Sequence, residues 1–510
     1  MPNSYSIPLK YYPDNSEEKF LNWIFSRREN IYYIAVTVFL SIAIWTVFKF
    51  YFPYPNIIFD SYYYVWAAAF NDKVSAWPIG YSKFIQFIGI LSHSATILLI
   101  IQYVLLQLSF LYFFLSLVFL FRPEKWGRWL LLCFLLLNPI YIFTCNLVLS
   151  DALFLSLSLI WIANLLWIVI SPKVSMLVIQ ALLLLAAFSV RHSAVYYPFI
   201  ACLGIILSGL SFKWKLAGVF LQLSTVGVFI LYTIHMNEKE YGVKQFSPFQ
   251  SWKVASNALY VYENVPKNEI SPVPEAFKSL DSMVIAYYHS KHEPVSLFLP
   301  DPSWGSYYIF MYPSPLLRYK DKLYPNDGRF LINVPVFSKM GPLYKAYGSW
   351  ILKHYPVTYA KYFVFPNIWF YIVPYPEVYS DSYNPFNLQS DTIGKVTRKW
   401  FGLKTISVQK DKVELRTQLF NHYPIVNTCI HIVFLLNLMA FVFLKGYRNV
   451  KKAGLLAIAV VVTLWITNFV FIIMASASLL RYQLFITIVE GAFAMLLWNI
   501  IFKIKPDTGY

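Results

Sequence analysis

Charge is what this chain has least of. Of its 510 residues, 13% are Asp, Glu, Lys or Arg, about half of the roughly 25% that a soluble globular chain carries. With 58% hydrophobic residues and a mean hydropathy of +0.52, a soluble globular domain is excluded and a polytopic membrane protein is expected. Cysteine is scarce too. The four (Cys133, Cys145, Cys202 and Cys429) fall inside or beside apolar runs, where thiols behave as small hydrophobes, so neither a disulfide framework nor a cysteine metal site is expected. There is no Walker loop, no glycine-rich dinucleotide fingerprint and no Asp-x-Asp pair on the expected cytoplasmic side. Those absences argue against ATP-driven transport and nucleotide-sugar chemistry. No cleavable leader is expected, because the first thirty residues are polar and the apolar run after Arg27-Arg28 is long enough to span and stay. Internal repeats and low-complexity tracts are missing as well.

What is abundant is aromatic surface: 40 Tyr, 44 Phe and 16 Trp make up 20% of the chain, as befits many helix ends lying at bilayer interfaces. The net charge of +17 is spread over short loops and one long hydrophilic region, which points to anionic lipid heads rather than nucleic acid.

Hydropathy predicts an all-α polytopic membrane protein with about ten transmembrane helices, near 31–52, 94–121, 129–145, 148–170, 174–190, 194–210, 216–236, 424–444, 453–474 and 482–502. The chain then divides into a cytoplasmic segment 1–30, a transmembrane core 31–236 with a first outer loop 53–92, an extracytoplasmic domain of mixed structure at 237–422, C-terminal helices 423–503 and a tail 504–510. Arg27/Arg28, Arg122/Lys125/Arg128, Lys173, Lys213/Lys215, Lys445/Arg448/Lys451/Lys452 and Lys503/Lys505 all fall on one side of these spans. The positive-inside rule makes that side cytoplasmic. In the long outer region, proline clusters at 271–274, 312–315 and 373–376 break the chain into short pieces, and the aromatic stretch 350–371 suits a membrane surface.

The outer side then collects the chemistry-bearing residues. Asp60 sits in Phe59-Asp60-Ser61-Tyr62-Tyr63-Tyr64, a lone carboxylate among aromatic rings just past the first span. Desolvation there raises its pKa and suits it to take a proton from an acceptor; the bland alternative is an N-cap for a helix starting at Ser61. Asp151 follows Ser150 at the turn of the third–fourth hairpin, where capping is an equal claim. Arg191-His192 lies between the fifth and sixth spans, and Arg481-Tyr482 opens the last. Arginine suits a lipid phosphate through paired, charge-assisted hydrogen bonds, against the alternative of headgroup snorkelling. Lys73 and Lys83 flank the Trp77-Pro78-Ile79-Gly80-Tyr81 turn as further phosphate contacts, and Tyr63, Trp77, Tyr81 and Tyr482 would shape the substrate site. His289-Ser290-Lys291-His292-Glu293 lacks the i, i+4 spacing of a zinc helix and reads as a solvated loop. Glu490, deep in the last span, reads as functional or as a protonated group bonded to a neighbouring helix.

An Asp in the first outer loop, a Pro-Ile-Gly-Tyr turn after it, Ser-Asp at the third–fourth hairpin, seven spans before a large outer region and Arg-Tyr opening a late helix together resemble the GT-C superfamily. The nearest likeness is to the bacterial family 39/83-type glycosyltransferases, related to protein O-mannosyltransferases and lipid A aminoarabinose transferases. It covers about 31–236 and the last helices; 237–422 resembles nothing in it. The resemblance implies inverting transfer of a sugar from a polyprenyl-phosphate donor to a protein, lipid or glycan acceptor at the outer face of a bacterial inner membrane. Asp60 would be the base, with Asp151 beside it in the catalytic site, and Arg191, Arg481, His192 and Lys83 would bind the donor phosphate. Many relatives carry an Asp-Glu pair where Ser61 follows Asp60 here, so a divalent metal and the base assignment both stay open. The rival readings are a lipid or polysaccharide transporter, which concentrates charge at mid-bilayer, and a lipid-linked glycan polymerase or ligase.

Overall fold

The computed structural model describes residues 19–290, 305–325, 333–380, 392–403, 410–475 and 478–502. Among them the regular structure is helical, and the only strand-like pairings are two isolated bridges, Asn56 with Leu147 and Tyr375 with Leu479. Eight helices are long and apolar enough to cross a membrane: Arg28–Tyr51, Ala95–Phe121, Lys125–Cys145, Ser150–Ile170, Phe212–Tyr241, Glu414–Phe443, Lys452–Ala475 and Leu480–Ile501. Two shorter apolar helices, Ser175–Val190 and His192–Leu207, occupy the places expected for the fifth and sixth spans. A hydrocarbon layer of about 30 Å has no water for backbone groups, which forces this all-helical solution. The chain is thus an all-α, multi-pass membrane protein.

Turn chemistry marks the joints. The third span is broken at Asn138, whose side chain accepts from the Ile140 N–H while Pro139 opens the second piece, the favoured place for proline. The 30-residue helix Phe212–Tyr241 stops at Gly242, which takes φ 72°, a left-handed conformation that glycine adopts without penalty.

Burial ranks the spans. Within their most apolar windows, Ser150–Ile170 and Leu480–Ile501 are each 78% buried, whereas Arg28–Tyr51 and Phe212–Tyr241 are 17% buried. The helices that carry Asp151 and Arg481 are therefore central, and the first and seventh spans turn most of their surface outward.

The described part of 237–422 is helical, where mixed structure was expected. Pro248–Tyr262 lies against Val334–His354, with Trp252 stacked on Phe337 at 4.4 Å and donating to its carbonyl at 2.8 Å. Gly348 makes that approach feasible: a Cβ there would meet the Ala255 backbone at 2.7 Å. Farther on, Phe365–Ile372 packs against the spans Tyr423–Phe443 and Lys452–Ala475. Tyr371 is buried there, its hydroxyl 3.2 Å from Asn468 Oδ1, while Phe365 and Trp369 stay exposed. This fits the membrane-surface placement that its aromatic sequence suggests.

Candidate functional site

Two backbone stitches assemble the site. In the first, the Asn56 N–H donates to the Asn146 carbonyl at 2.8 Å and the Val148 N–H donates to the Asn56 carbonyl at 3.1 Å. The Asn146 side chain adds a bond from its amide to the Tyr54 carbonyl and accepts from Lys49 Nζ at 2.6 Å. This ties the first outer loop to the third–fourth hairpin and sets Asp60 near Asp151. In the second, the Leu480 N–H donates to the Tyr375 carbonyl at 3.1 Å, which draws Glu377 to the start of the last span.

Asp60 lies in the first turn of the helix Phe59–Ala69 but does not cap it; Ile58 holds the cap position, and its N–H is taken by the Ser61 hydroxyl at 3.0 Å. The Asp60 carboxylate turns instead to Arg481, with Oδ2 3.4 Å from Nη1. Arg481 also has Nε 3.1 Å from Glu377 Oε2. A cation in the first turn of a helix is disfavoured by the helix dipole, and Arg481 is the second residue of its helix. The two carboxylates offset that cost.

A second pair stands beside the first. Asp151, in the first turn of Ser150–Ile170, binds the guanidinium of Arg191, the residue that ends Ser175–Val190. Here the dipoles help both partners, an anion at a helix N-terminus and a cation at a C-terminus. Tyr482 separates the two arginines: its ring lies 4.6 Å from Arg191 Cζ and 4.9 Å from Arg481 Cζ, good cation–π range. Tyr64 and Ser150 share a hydrogen bond at 3.2 Å at the back of the cluster, and Tyr379 meets Thr144 at 2.7 Å.

Burial pushes the Asp60 carboxyl above its ordinary 3.8, against the pull of Arg481 and with a smaller push from Asp151. The Asp60 and Glu377 side chains each keep 19% of their surface, against 3% for Asp151. Asp60 and Glu377 are thus the more accessible carboxylates of the cluster, and Asp151 is the buried clamp on Arg191.

The structure thus brings Asp60, Asp151, Arg191, Arg481 and Tyr482 together. Tyr63 and Trp77 stack on each other at 4.5 Å, with the ring of Phe59, the chain neighbour of Asp60, at their edge. Lys83, His192 and Tyr81 have other partners. Lys83 bonds Asn71 at 2.8 Å and Gln86 at 3.4 Å; Asn71 lies past the far end of the Asp60 helix, about 16 Å away at 1.5 Å per residue. His192 packs its ring against Phe246 at 4.5 Å and Phe188 at 5.8 Å. Neither is hydrogen-bonded or ion-paired to Arg191 or Arg481. Tyr81 is fully buried and donates to Gln102, whose amide holds the Cys145 and Leu147 carbonyls. It braces the hairpin from behind.

Glu377 was missed from sequence. Its signal was the proline run Pro374-Tyr375-Pro376 before it, and its φ of 23° is the kind of backbone strain that clusters at functional sites. Gly80 in the Pro-Ile-Gly-Tyr turn has a packing role: a Cβ there would sit 2.5–2.7 Å from Ser189 side-chain and backbone atoms, two residues before Arg191.

Several remaining expectations fall outside the cluster. Glu490 pairs with His431 of a neighbouring span at 2.5 Å, and the thiols of all four cysteines are free. His292 and Glu293 lie outside the described residues. Among the described residues no group of three His, Cys, Asp or Glu side chains converges on a metal position; each carboxylate of the cluster faces a guanidinium. Comparison of the chain with family models, with curated proteins and with solved structures finds no match.

Proposed function

We propose that this protein is a membrane glycosyltransferase of GT-C type, which moves a sugar from a polyprenyl-phosphate donor to an acceptor at the extracytoplasmic face with inversion. The observation that carries the reading is the meeting of a partly exposed carboxylate with two arginines braced on one tyrosine ring, drawn from the first outer loop, the fourth span, the end of the fifth and the start of the last.

In this reading Asp60 takes the proton of an acceptor hydroxyl or amine as that atom bonds the anomeric carbon. The bond from that carbon to the phosphate oxygen breaks on the opposite face, and the electron pair leaves with the polyprenyl phosphate. Negative charge grows on that phosphate in the transition state, where preorganised guanidiniums act most strongly. Arg191 and Arg481 supply them, one held by Asp151 and the other by Asp60 and Glu377. Desolvation at the membrane face keeps the Asp60 carboxyl basic enough for the task.

The test is mass spectrometry of envelope glycans, glycolipids and glycoproteins from cells with and without the gene. The reading expects one glycosylated product to vanish on deletion and to return with the wild-type gene; an unchanged glycan profile contradicts it. One observation favours a transporter instead, the His431–Glu490 pair inside the bundle, since buried intramembrane charges often mark transport paths. That reading expects lipid movement across liposomes with no new glycosidic bond.

A further inference from the structure

Lys253 is a buried charge without a place in that scheme. Lys253, on the outer-region helix Pro248–Tyr262, is 5% exposed, and its ammonium nitrogen has no hydrogen-bond partner. One turn farther along, Asn257 is 4% exposed and its side-chain oxygen is likewise unpartnered. Buried polar groups are almost always satisfied, and an unpaired buried ammonium costs far more than a neutral group.

The position of Lys253 says what it awaits. It is four residues from Phe249, so both lie on one helix face. Phe249 meets Trp77 at 6.2 Å and Phe310 at 6.1 Å, and Phe310 meets Phe59, the neighbour of Asp60, at 5.6 Å. The charged group whose field reaches Lys253 is Glu377, which spends Oε2 on Arg481. Charge balance makes the same point. Asp60, Asp151 and Glu377 are three carboxylates against two guanidiniums, an excess that repels an incoming phosphate. Protonated Lys253 is the cation that cancels the excess.

We infer that Lys253, with Asn257 behind it, forms a second oxyanion subsite on the outer-region side of Glu377, which takes a phosphate or carboxylate group of the substrate. The inference rests on the reading of the cluster as a site for a phosphorylated donor. The anion it receives comes from the donor phosphate or from an acidic sugar of the acceptor. The aromatic rings of Phe59, Phe249 and Phe310 at its edge suit the apolar face of a sugar ring in both cases.

The experiment uses the full chain in lipid nanodiscs and measures binding of three probes: undecaprenyl phosphate, inorganic phosphate and methyl glucuronide. Lys253→Met removes the charge while keeping the length, Lys253→Gln is a second neutral variant, and Lys253→Arg keeps the charge. At least one probe is expected to bind both neutral variants about tenfold more weakly, with Lys253→Arg close to wild type. Weakening of the two phosphates assigns the subsite to the donor, and weakening of the glucuronide alone assigns it to an acidic acceptor. Equal binding by wild type and both neutral variants overturns the subsite, as does wild type binding none of the probes. Asp60→Asn in parallel separates the two ideas. If Asp60→Asn abolishes sugar transfer while Lys253 variants bind normally, the subsite alone is lost; if wild type neither binds a probe nor transfers sugar, the functional reading falls with it.

Discussion

At the scale of single residues, burial moves the protonation of Asp60 and of Lys253 in opposite senses. Burial holds the Asp60 carboxyl above 3.8, so a base built on it loses activity as pH falls through a value higher than an ordinary aspartate's. The acidic limb of kcat/KM reports that value in the free enzyme. Glu377→Gln takes away an anion that shares Arg481, leaving Arg481 to stabilise the Asp60 carboxylate more strongly, and the limb is expected to move to lower pH. Lys253 is lowered from 10.5 to about 7, by burial against the opposing field of Glu377. Between about 7 and 10.5 the unfolded chain keeps a proton that the folded chain has lost, so stability rises with pH across that window. Lys253→Met removes this rise, and at pH 6 it stabilises the unliganded protein by on the order of 1–4 kcal/mol. Thermal unfolding in detergent at pH 6 and pH 9 checks both statements; a variant less stable than wild type at pH 6 contradicts them.

At the scale of elements, the site depends on how closely short pieces approach each other. Gly80 opens the helix that abuts the end of Ser175–Val190, and a Cβ there would collide with the Ser189 backbone as well as its hydroxyl. Gly80→Ala is expected to cost about 1–3 kcal/mol through overpacking and to weaken phosphate binding by displacing Arg191. Adding Ser189→Ala does not restore either, because the backbone contacts remain; a full rescue in thermal unfolding contradicts the packing account. Elements also explain what could and could not be read from sequence. Asp60, Asp151, Arg191 and Arg481 were legible because each sits at the end of an apolar run, and span counting places all four at one end of the bundle. Their pairing was not, since Asp60–Arg481 joins residues 421 apart in sequence. Glu377 and Lys253 were hidden for a different reason. Their region has no long hydropathic period, and Glu377 reaches the site through a single backbone bridge, Tyr375 to Leu479. Residue type beside a turn says nothing of direction: Tyr81 points into the core toward Gln102, and Lys83 toward Asn71.

At the scale of the whole molecule, the bundle has eight helices long and apolar enough to span, with Ser150–Ile170 and Leu480–Ile501 the most buried, where hydropathy predicts about ten spans. In the proposed topology the positive-inside rule puts the cationic loops and both termini in the cytoplasm and the cluster outside. Reporter fusions at either terminus are expected to report cytoplasmic placement, and a fusion in the Asn71–Ser75 turn the opposite; fusions that reverse this order contradict an outward-facing site. The central claim concerns chemistry, and it is tested most directly by sugar transfer in proteoliposomes carrying wild type or Asp60→Asn, with donor binding measured on the same samples. The account predicts that Asp60→Asn inserts and binds donor but loses transfer by about 10²–10⁴-fold, the usual share of a general base. Transfer at the wild-type rate by Asp60→Asn would contradict it.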